Sequence, residues 1–521
     1  VGILAILFIP KENGRAIKRT AAIASLVPLA LSILAWVQVH THGAASLNEN
    51  VAWFHFELNK SVESLQGIEH YYYEFRYLLG VDGLSLPLVL LTTFISAMAA
   101  MASWNIKKRW KTFYIMFFLL ELGMIGVFLV RDLMMFFIFF ELTLIPMFFL
   151  IGIWGNKERE RAANQFLLYN GVGSALMLVA FIILISTAGF TLAHAQSANY
   201  AGSLYFSGAY DVLAKNLVDP NAFVNAPSVL NGLFHLSDGL RAFVFVLLLV
   251  AFGIKLPIFP FHTWMLKVHA EAPTSIVMIH SGILLKMGAY GLFRFAMYLF
   301  PDQTEKWAVA LAVLGVINIL YGAILAFVQK DLRLVLAYSS ISHMGVVLLG
   351  IASLNLTGLE GAAYQLVSHG LISALMFLIV GILADRTGTT ELDRLGGLAK
   401  SAPIFSGLFL VAGMASLGLP ATSGFVAELL AFVGLFKSHV VLASIGSLGI
   451  VLTAAYVLRA VLKITYGPVE TVTEGVADIR VSEGIPMVAL TLAILVLGIL
   501  PSVLTDLFES SLDVILKGIG G

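Results

Sequence analysis

Runs of about twenty mainly apolar residues, the length an α-helix needs to cross a bilayer, follow one another along nearly the whole chain. Segments such as MMFFIFFELTLIPMFFLIG (134–152) and FVFVLLLVAFGIKLPIF (243–259) are continuous. They lack the apolar/polar alternation of a transmembrane β-barrel strand. With 59% hydrophobic and only 12% charged residues among 521, and a mean hydropathy of +0.92, the chain falls outside the soluble globular class, where about a quarter of residues carry charge. The pattern predicts an all-α polytopic membrane protein with roughly fourteen spans. They fall at 1–10, 18–40, 83–104, 112–130, 132–154, 160–187, 240–266, 273–299, 306–328, 331–353, 358–384, 402–436, 440–466 and 482–507.

The opening VGILAILFIP reads as the end of a first span whose beginning lies upstream, not as a signal peptide. Two hydrophilic excursions interrupt the runs. Residues 41–82 are mostly acidic, with Glu49, Glu57, Glu63, Glu69, Glu74 and Asp82 against Lys60 and Arg76. Residues 188–239 are rich in Asn, Ser, Gly and Asp and contain Lys215. Lys and Arg concentrate in the loops after odd-numbered spans, so both termini are expected on the non-cytoplasmic side.

Five ionisable residues stand inside these runs: Glu141, Lys255, Lys286, His369 and Glu428. A charge near the bilayer centre costs at least about 2.5–3.5 kcal/mol, so such residues mark ion or proton paths. Glu141 lies about 13 Å into its span, nine residues after Asp132 at 1.5 Å per residue, and Pro146 weakens the hydrogen-bond ladder beside it. A carboxylate and a lysine that meet and part switch each other's proton affinity. Glu141 and Lys255 are the expected pair. Lys286, in HSGILLKMGAYGLFRF, is too deep to snorkel, and Gly288, Ala289 and Gly291 allow close helix contact. His280, six residues before it, falls on another helical face and reads as a core histidine. His343 and His369 suit a relay because imidazole both gives and takes protons near neutral pH. Ser339, Ser340, Ser342, Tyr338, Ser368 and Ser373 surround them. Glu121 is a further carboxylate within an apolar run, without an evident partner.

Two spans read as broken. GIKLPIFPFHTW (253–264) sets Pro257 and Pro260 just after Lys255, and SLGLPATSGFVAEL (416–429) sets Gly418, Pro420 and Gly424 just before Glu428. Proline frees backbone carbonyls that lipid cannot satisfy. Gly/Pro-interrupted spans in two halves point to a transport site built from repeats. Both breaks adjoin a buried charge.

Other chemistries find no foothold. The charges balance at 31 basic and 31 acidic residues, which gives nucleic acid no basic surface. With no cysteine, disulfides, thiolate-held iron–sulfur clusters and Cys-type zinc sites are excluded. No P-loop occurs, and GVGSAL (171–176) is a failed dinucleotide fingerprint inside a span. No metal or cofactor site is expected in this chain.

RDLMMFFIFFELTLIPMFFLIGIWG, GIKLPIFPFHTW, HAEAPTSIVMIHSGILLKMGAYGLFRF, DLRLVLAYSSISHMGVVLLG, QLVSHGLISALMFLIVG and LPATSGFVAELLAFVG together resemble the antiporter-like subunit M (chain 4) family of respiratory NADH–quinone oxidoreductase, or Complex I. The resemblance is strongest from about residue 80 to 470. It implies fourteen helices with two inverted five-helix repeats, spans 4–8 and 9–13, with the seventh and twelfth broken. The divisions are then 1–111 (helices 1–3 with an external loop at 41–82), 112–299 (first repeat), 300–467 (second repeat) and 468–521 (helix 14 and tail).

The resemblance also implies proton-transfer roles. Glu141 would pair with the Lys255 switch, Lys286 would connect the halves, His343 and His369 would relay, and Glu428 would be the terminal site. Subunits L and N and the Mrp-type antiporter subunits generally carry lysine where Glu428 stands, so this glutamate favours subunit M. The implied activity is proton pumping by a redox-inactive subunit of a quinone oxidoreductase in the bacterial inner membrane. FMN, iron–sulfur clusters and quinone would then sit in partner subunits, and L-like and N-like chains would be neighbours. An Mrp-type Na+/H+ antiporter subunit, or a membrane subunit of an energy-converting hydrogenase or a ferredoxin-driven complex, shares the same pattern.

Overall fold

The computed structural model describes residues 2–59, 70–192, 203–219, 222, 224, 225 and 235–519; Lys60, Glu63 and Glu69 of the acidic excursion lie outside them. Helix α1 (Gly2–Phe8) and the long α2 (Gly14–His42) lead into strands β1 (Glu49–Asn59) and β2 (His70–Leu79). Then follow α3 (Ser85–Ala102), α4 (Trp110–Leu129), α5 (Leu133–Trp154) and α6 (Arg159–Ala188). Strands β3 (Phe190–Leu192) and β4 (Ser203–Phe206) precede the short α7 (Tyr210–Val218). The seventh predicted span is α8 (Asp238–Lys255) plus α9 (Thr263–Glu271), and α10 (Thr274–Met297) comes next. Helices α11 (Pro301–Val328), α12 (Leu332–Ala352) and α13 (Leu356–Thr387) are continuous. The twelfth span is α14 (Pro403–Ser416) plus α15 (Ser423–Ser438), followed by α16 (Val440–Tyr466), α17 (Val481–Ile499) and α18 (Ser502–Ile519).

Eleven of these helices are long and apolar enough to cross a membrane, and α14 is a shorter apolar one. Only two of the eleven, α10 and α13, have their apolar windows wholly buried. α13 packs against α3, α10, α12, α14, α15, α17 and α18, and forms the hub of the bundle. A helix sheathed by other helices on all sides can carry polar groups that lipid would reject. Both sheathed helices do.

The structure departs from the predicted layout in two places. The last span ends at Ile499, not at 507, and Pro501 separates it from α18. Leu504, Phe508, Leu512 and Ile515 form a buried stripe on α18, at the spacing of one helical face. This is an amphipathic helix laid against α11 and α13. Second, the two hydrophilic excursions join in a small sheet of order β1-β2-β4-β3, in which β2 and β4 run parallel and the other pairs antiparallel. The β2–β4 pairing that joins the two excursions sets His70 against Ser203, a sequence separation beyond the reach of local patterning.

Both breaks are satisfied internally. At the first, the Ile258 N–H reaches back to the Gly253 carbonyl at 2.9 Å, and Trp264 Nε1 donates to the Ile254 carbonyl at 3.1 Å. Asn318, from α11, accepts from the Phe259 N–H at 2.8 Å. Gly288 lets α10 press on this break, because a Cβ there would stand 2.7 Å from the Leu256 nitrogen and 2.8 Å from the Phe252 carbonyl oxygen. Backbone cannot move aside as a flexible side chain can. Gly288→Ala is therefore expected to destabilise the fold by about 1–2 kcal/mol, seen as a lower melting midpoint in detergent.

Candidate functional site

Lys286 is wholly buried on α10, in a span that carries two π-turns, His280–Leu284 and Leu292–Met297. A π-turn widens the helix and loosens its regular bonding, a feature common at functional sites. The lysine uses this: its Nζ donates to the Ser281 carbonyl at 2.6 Å, within the first π-turn. Its second bond, at 2.7 Å, runs to His369 Nδ1 on α13. The His369 ring centre is 5.3 Å from that of His343 on α12. His343 Nδ1 lies 3.3 Å from Glu428 Oε1 on α15 and 3.3 Å from Gln365 Nε2 on α13. That nitrogen thus faces both a donor and a carboxylate acceptor. An unprotonated Nδ1 takes the amide hydrogen, and a protonated one gives its hydrogen to Glu428.

Lys286, His369, His343 and Glu428 therefore form one row across four helices, all of them buried. Two small cavities of about 10 Å³ each flank it, each near the size that holds a single water. One is lined by Ser339, Ser340, His343 and His369, among others. The other is lined by Gln365, Ser368, His369 and Glu428, among others. Gly418 opens the Glu428 end. It adopts φ +75° in the second break, where L side chains are strained, and a Cβ there would lie 2.8 Å from Glu428 Oε2.

The surrounding hydroxyls are tied in. Tyr456 OH donates to Ser339 at 2.8 Å, Ser368 bonds Ser423 at 2.9 Å, and Ser281 and Ser340 are 3.4 Å apart. Ser342 and Ser373 donate to backbone carbonyls instead.

The expected Glu141–Lys255 pair is near but parted. Lys255, the buried last residue of α8, places its Nζ 5.0 Å from the Phe140 ring centre and 5.5 Å from that of Phe166. The two make no ion-pair contact, and Glu141 Oε1 has no hydrogen-bond partner among the described residues. Aromatic faces hold the ammonium by a cation–π attraction where a carboxylate was expected. Glu121 is likewise buried with an unpartnered oxygen.

Three groups escaped the sequence reading. His269 on α9 is fully buried and bonds His280, Nε2 to Nδ1, at 2.9 Å. Gln365 sits one helical turn before His369, a spacing that could have flagged it. Asp82 pairs with Arg294 in a polar cavity of about 210 Å³ that Arg131, Asp211, Tyr290 and Ser510 also line. No group of three or more potential metal ligands occurs among the described residues.

A helical bundle with two broken spans and a buried row of lysine, histidine and glutamate defines an antiporter-like membrane protein. Residues 130–453 match the family model of the NADH:quinone oxidoreductase/Mrp antiporter transmembrane region. Residues 58–131 match that of the NADH-ubiquinone oxidoreductase chain 4 amino terminus. The NAD(P)H-quinone oxidoreductase chain 4 of Gloeobacter violaceus is 39% identical over 447 residues, 84% of this chain and 78% of that one. The NADH-quinone oxidoreductase subunit M of Rhodobacter capsulatus is 38% identical over 440 residues, 84% and 81% of the two chains. A chain of respiratory complex I from Thermus thermophilus superposes with a TM-score of 0.78 at 28% identity, covering 100% of both chains. The chain belongs to the NADH:quinone oxidoreductase/Mrp antiporter family, on its subunit M (chain 4) branch.

Proposed function

We propose that this chain is the antiporter-like, proton-translocating membrane subunit of a respiratory NADH–quinone oxidoreductase, itself redox-inactive. The observation that carries this reading is the row of buried side chains Lys286, His369, His343 and Glu428, the first two on the wholly sheathed helices α10 and α13. Each member holds or passes a proton at a named atom: the Lys286 amine, the His369 and His343 ring nitrogens, and the Glu428 carboxylate. Moving one charge against 100 mV requires about 2.3 kcal/mol. Changing the partnership of a buried ion is of that size or larger, so a shift of Glu141 relative to Lys255 suffices to drive a transfer.

The division into two inverted repeats, 112–299 and 300–467, is supported by matching details. Asp132 caps α5 with Arg131 before it and Leu133 after, and Asp331 caps α12 with Lys330 before it and Leu332 after. One broken span falls in each half. In this reading FMN, iron–sulfur clusters and quinone belong to partner subunits, and L-like and N-like chains flank this one. The protein sits in a bacterial inner membrane with both termini outside the cytoplasm, as the charge of its loops favours.

Purification through a tag on this chain, followed by reconstitution in liposomes, tests the reading. NADH-driven quinone reduction should acidify or alkalinise the lumen, collapse with an uncoupler and proceed without sodium. Sodium–proton exchange in the absence of quinone turnover would overturn it in favour of an antiporter subunit.

A further inference from the structure

Lys255 and the Lys286–His369 pair have no direct contact among the described hydrogen bonds, and two buried histidines neighbour both. His280, on the first π-turn of α10, and His269, on α9, are both fully buried and bonded to each other at 2.9 Å, Nδ1 to Nε2. The His280 ring packs on Phe166 at 6.1 Å between centres, and Lys255 Nζ lies 5.5 Å from that same ring centre. His280 is also the neighbour of Ser281, whose carbonyl holds Lys286. On the other side, the His269 ring is 4.9 Å from that of Phe377, which lines the same small cavity as His369 and His343.

Each ring of this couple spends one nitrogen on the other. The outward nitrogens, Nε2 of His280 and Nδ1 of His269, are buried and have no hydrogen-bond partner among the described residues. Leaving a buried polar atom unsatisfied is destabilising. Two histidines serving only as core filling would not retain that cost twice when apolar side chains fill the same space without it. The outward nitrogens point to groups that come and go. A lysine ammonium, or a water carrying its proton, is the partner they suit.

We infer that His280 and His269 are a two-ring proton relay connecting Lys255 with the Lys286–His369 pair. This inference rests on the proton-translocating reading of the row. Transfer from the Lys255 side proceeds by three coupled changes. An N–H bond forms at His280 Nε2 as the incoming acid gives up its proton. The hydrogen between the rings moves from His280 Nδ1 to His269 Nε2. The N–H bond at His269 Nδ1 then breaks, and that proton leaves toward His369. One proton enters and one leaves, no electrons are exchanged, and the couple is left with its shared hydrogen bond reversed. The opposite transfer, or rotation of the rings, resets it.

The test uses the assembled complex in liposomes, with four variants of this chain: His280→Leu, His280→Gln, His269→Gln and the double His269→Gln/His280→Gln. Lys286→Ala serves as reference. Glutamine keeps a hydrogen bond to the remaining imidazole but cannot pass a proton from one ring nitrogen to the other. Each single variant is expected to lower proton-coupled turnover about tenfold or more, toward the level of the Lys286→Ala complex. The double variant should fall no further, because two links in series fail together. Wild-type turnover in His280→Gln would overturn the relay, whether or not His280→Leu is impaired, since it would leave His280 only a packing role. Should His280→Leu fail to assemble, the glutamine variants decide. If Lys286→Ala also retains full proton-coupled turnover, the failure lies in the translocation reading itself and not in the histidine couple.

Discussion

Lys286→Ala is expected to cut proton-coupled quinone reduction by about a hundredfold, the lower range for loss of a positioned acid–base group, while the complex still assembles. The substitution removes the amine that spans Ser281 and His369 at 2.6 and 2.7 Å. Stability should move little, or rise. Lys286 has no carboxylate in ion-pair contact among the described residues, so its removal orphans no opposite charge and relieves the cost of keeping an ammonium dry. The apolar stem leaves a cavity, which offsets part of that relief. Turnover and lumenal pH recorded on the same liposomes, with subunit content checked on a native gel, measure both parts. If the buried charges only fastened neighbouring subunits together, the opposite pattern would appear, with assembly lost and turnover per assembled complex unchanged.

The features legible in the sequence are those that physics makes local. A continuous apolar run must be a span because lipid offers the backbone no partners, and a proline beside a buried lysine must break one. Hence α8/α9 and α14/α15 fall where Pro257 and Pro420 predict. Lys286, His343, His369 and Glu428 stood out because each is costly where it lies. The rest depended on geometry that residue spacing does not carry. A helical wheel places His280 off the Lys286 face, but the π-turn at His280–Leu284 shifts that register, and the ring meets His269 on a different helix. His269 itself sits in TWMLKVHAEAP, among charges and beside a proline, and looks like the edge of a loop. Charge alone matches the Lys255 ammonium to Glu141, whereas the structure sets it over the faces of Phe140 and Phe166. From the sequence, the first residues of α18, up to 507, continue the apolar run of α17 with only Pro501 between, and so extend that predicted span.

The ion pair at the opposite end of α10 should respond to substitution with the other sign. Arg294 and Asp82 are in contact, and Asp82 also receives the Leu84 and Ser85 N–H groups at 3.0 and 2.9 Å at the entrance to α3. Burial pushes the Asp82 carboxyl up, but the Arg294 guanidinium and these backbone donors outweigh it and hold the group below the usual carboxylate range. Arg294→Leu leaves that carboxylate without its cation and is expected to destabilise the protein by about 3 kcal/mol.

The pH dependence follows from the sign of the shift. A lowered carboxyl contributes stability that is fully present above the unfolded-state pKa, about 3.9, and that is lost as pH falls through the folded value. The gap in melting midpoint between wild type and Arg294→Leu should therefore be widest near neutral pH and close as the medium is acidified. Ser510 and Ser511 of α18 line the same cavity. Loss of the pair should loosen that helix first, seen as faster proteolysis after residue 500 at neutral pH. A gap that stays constant into the acid range would mean that Arg294 acts through packing against Tyr290, whose ring it overlies at 5.2 Å, and not through Asp82.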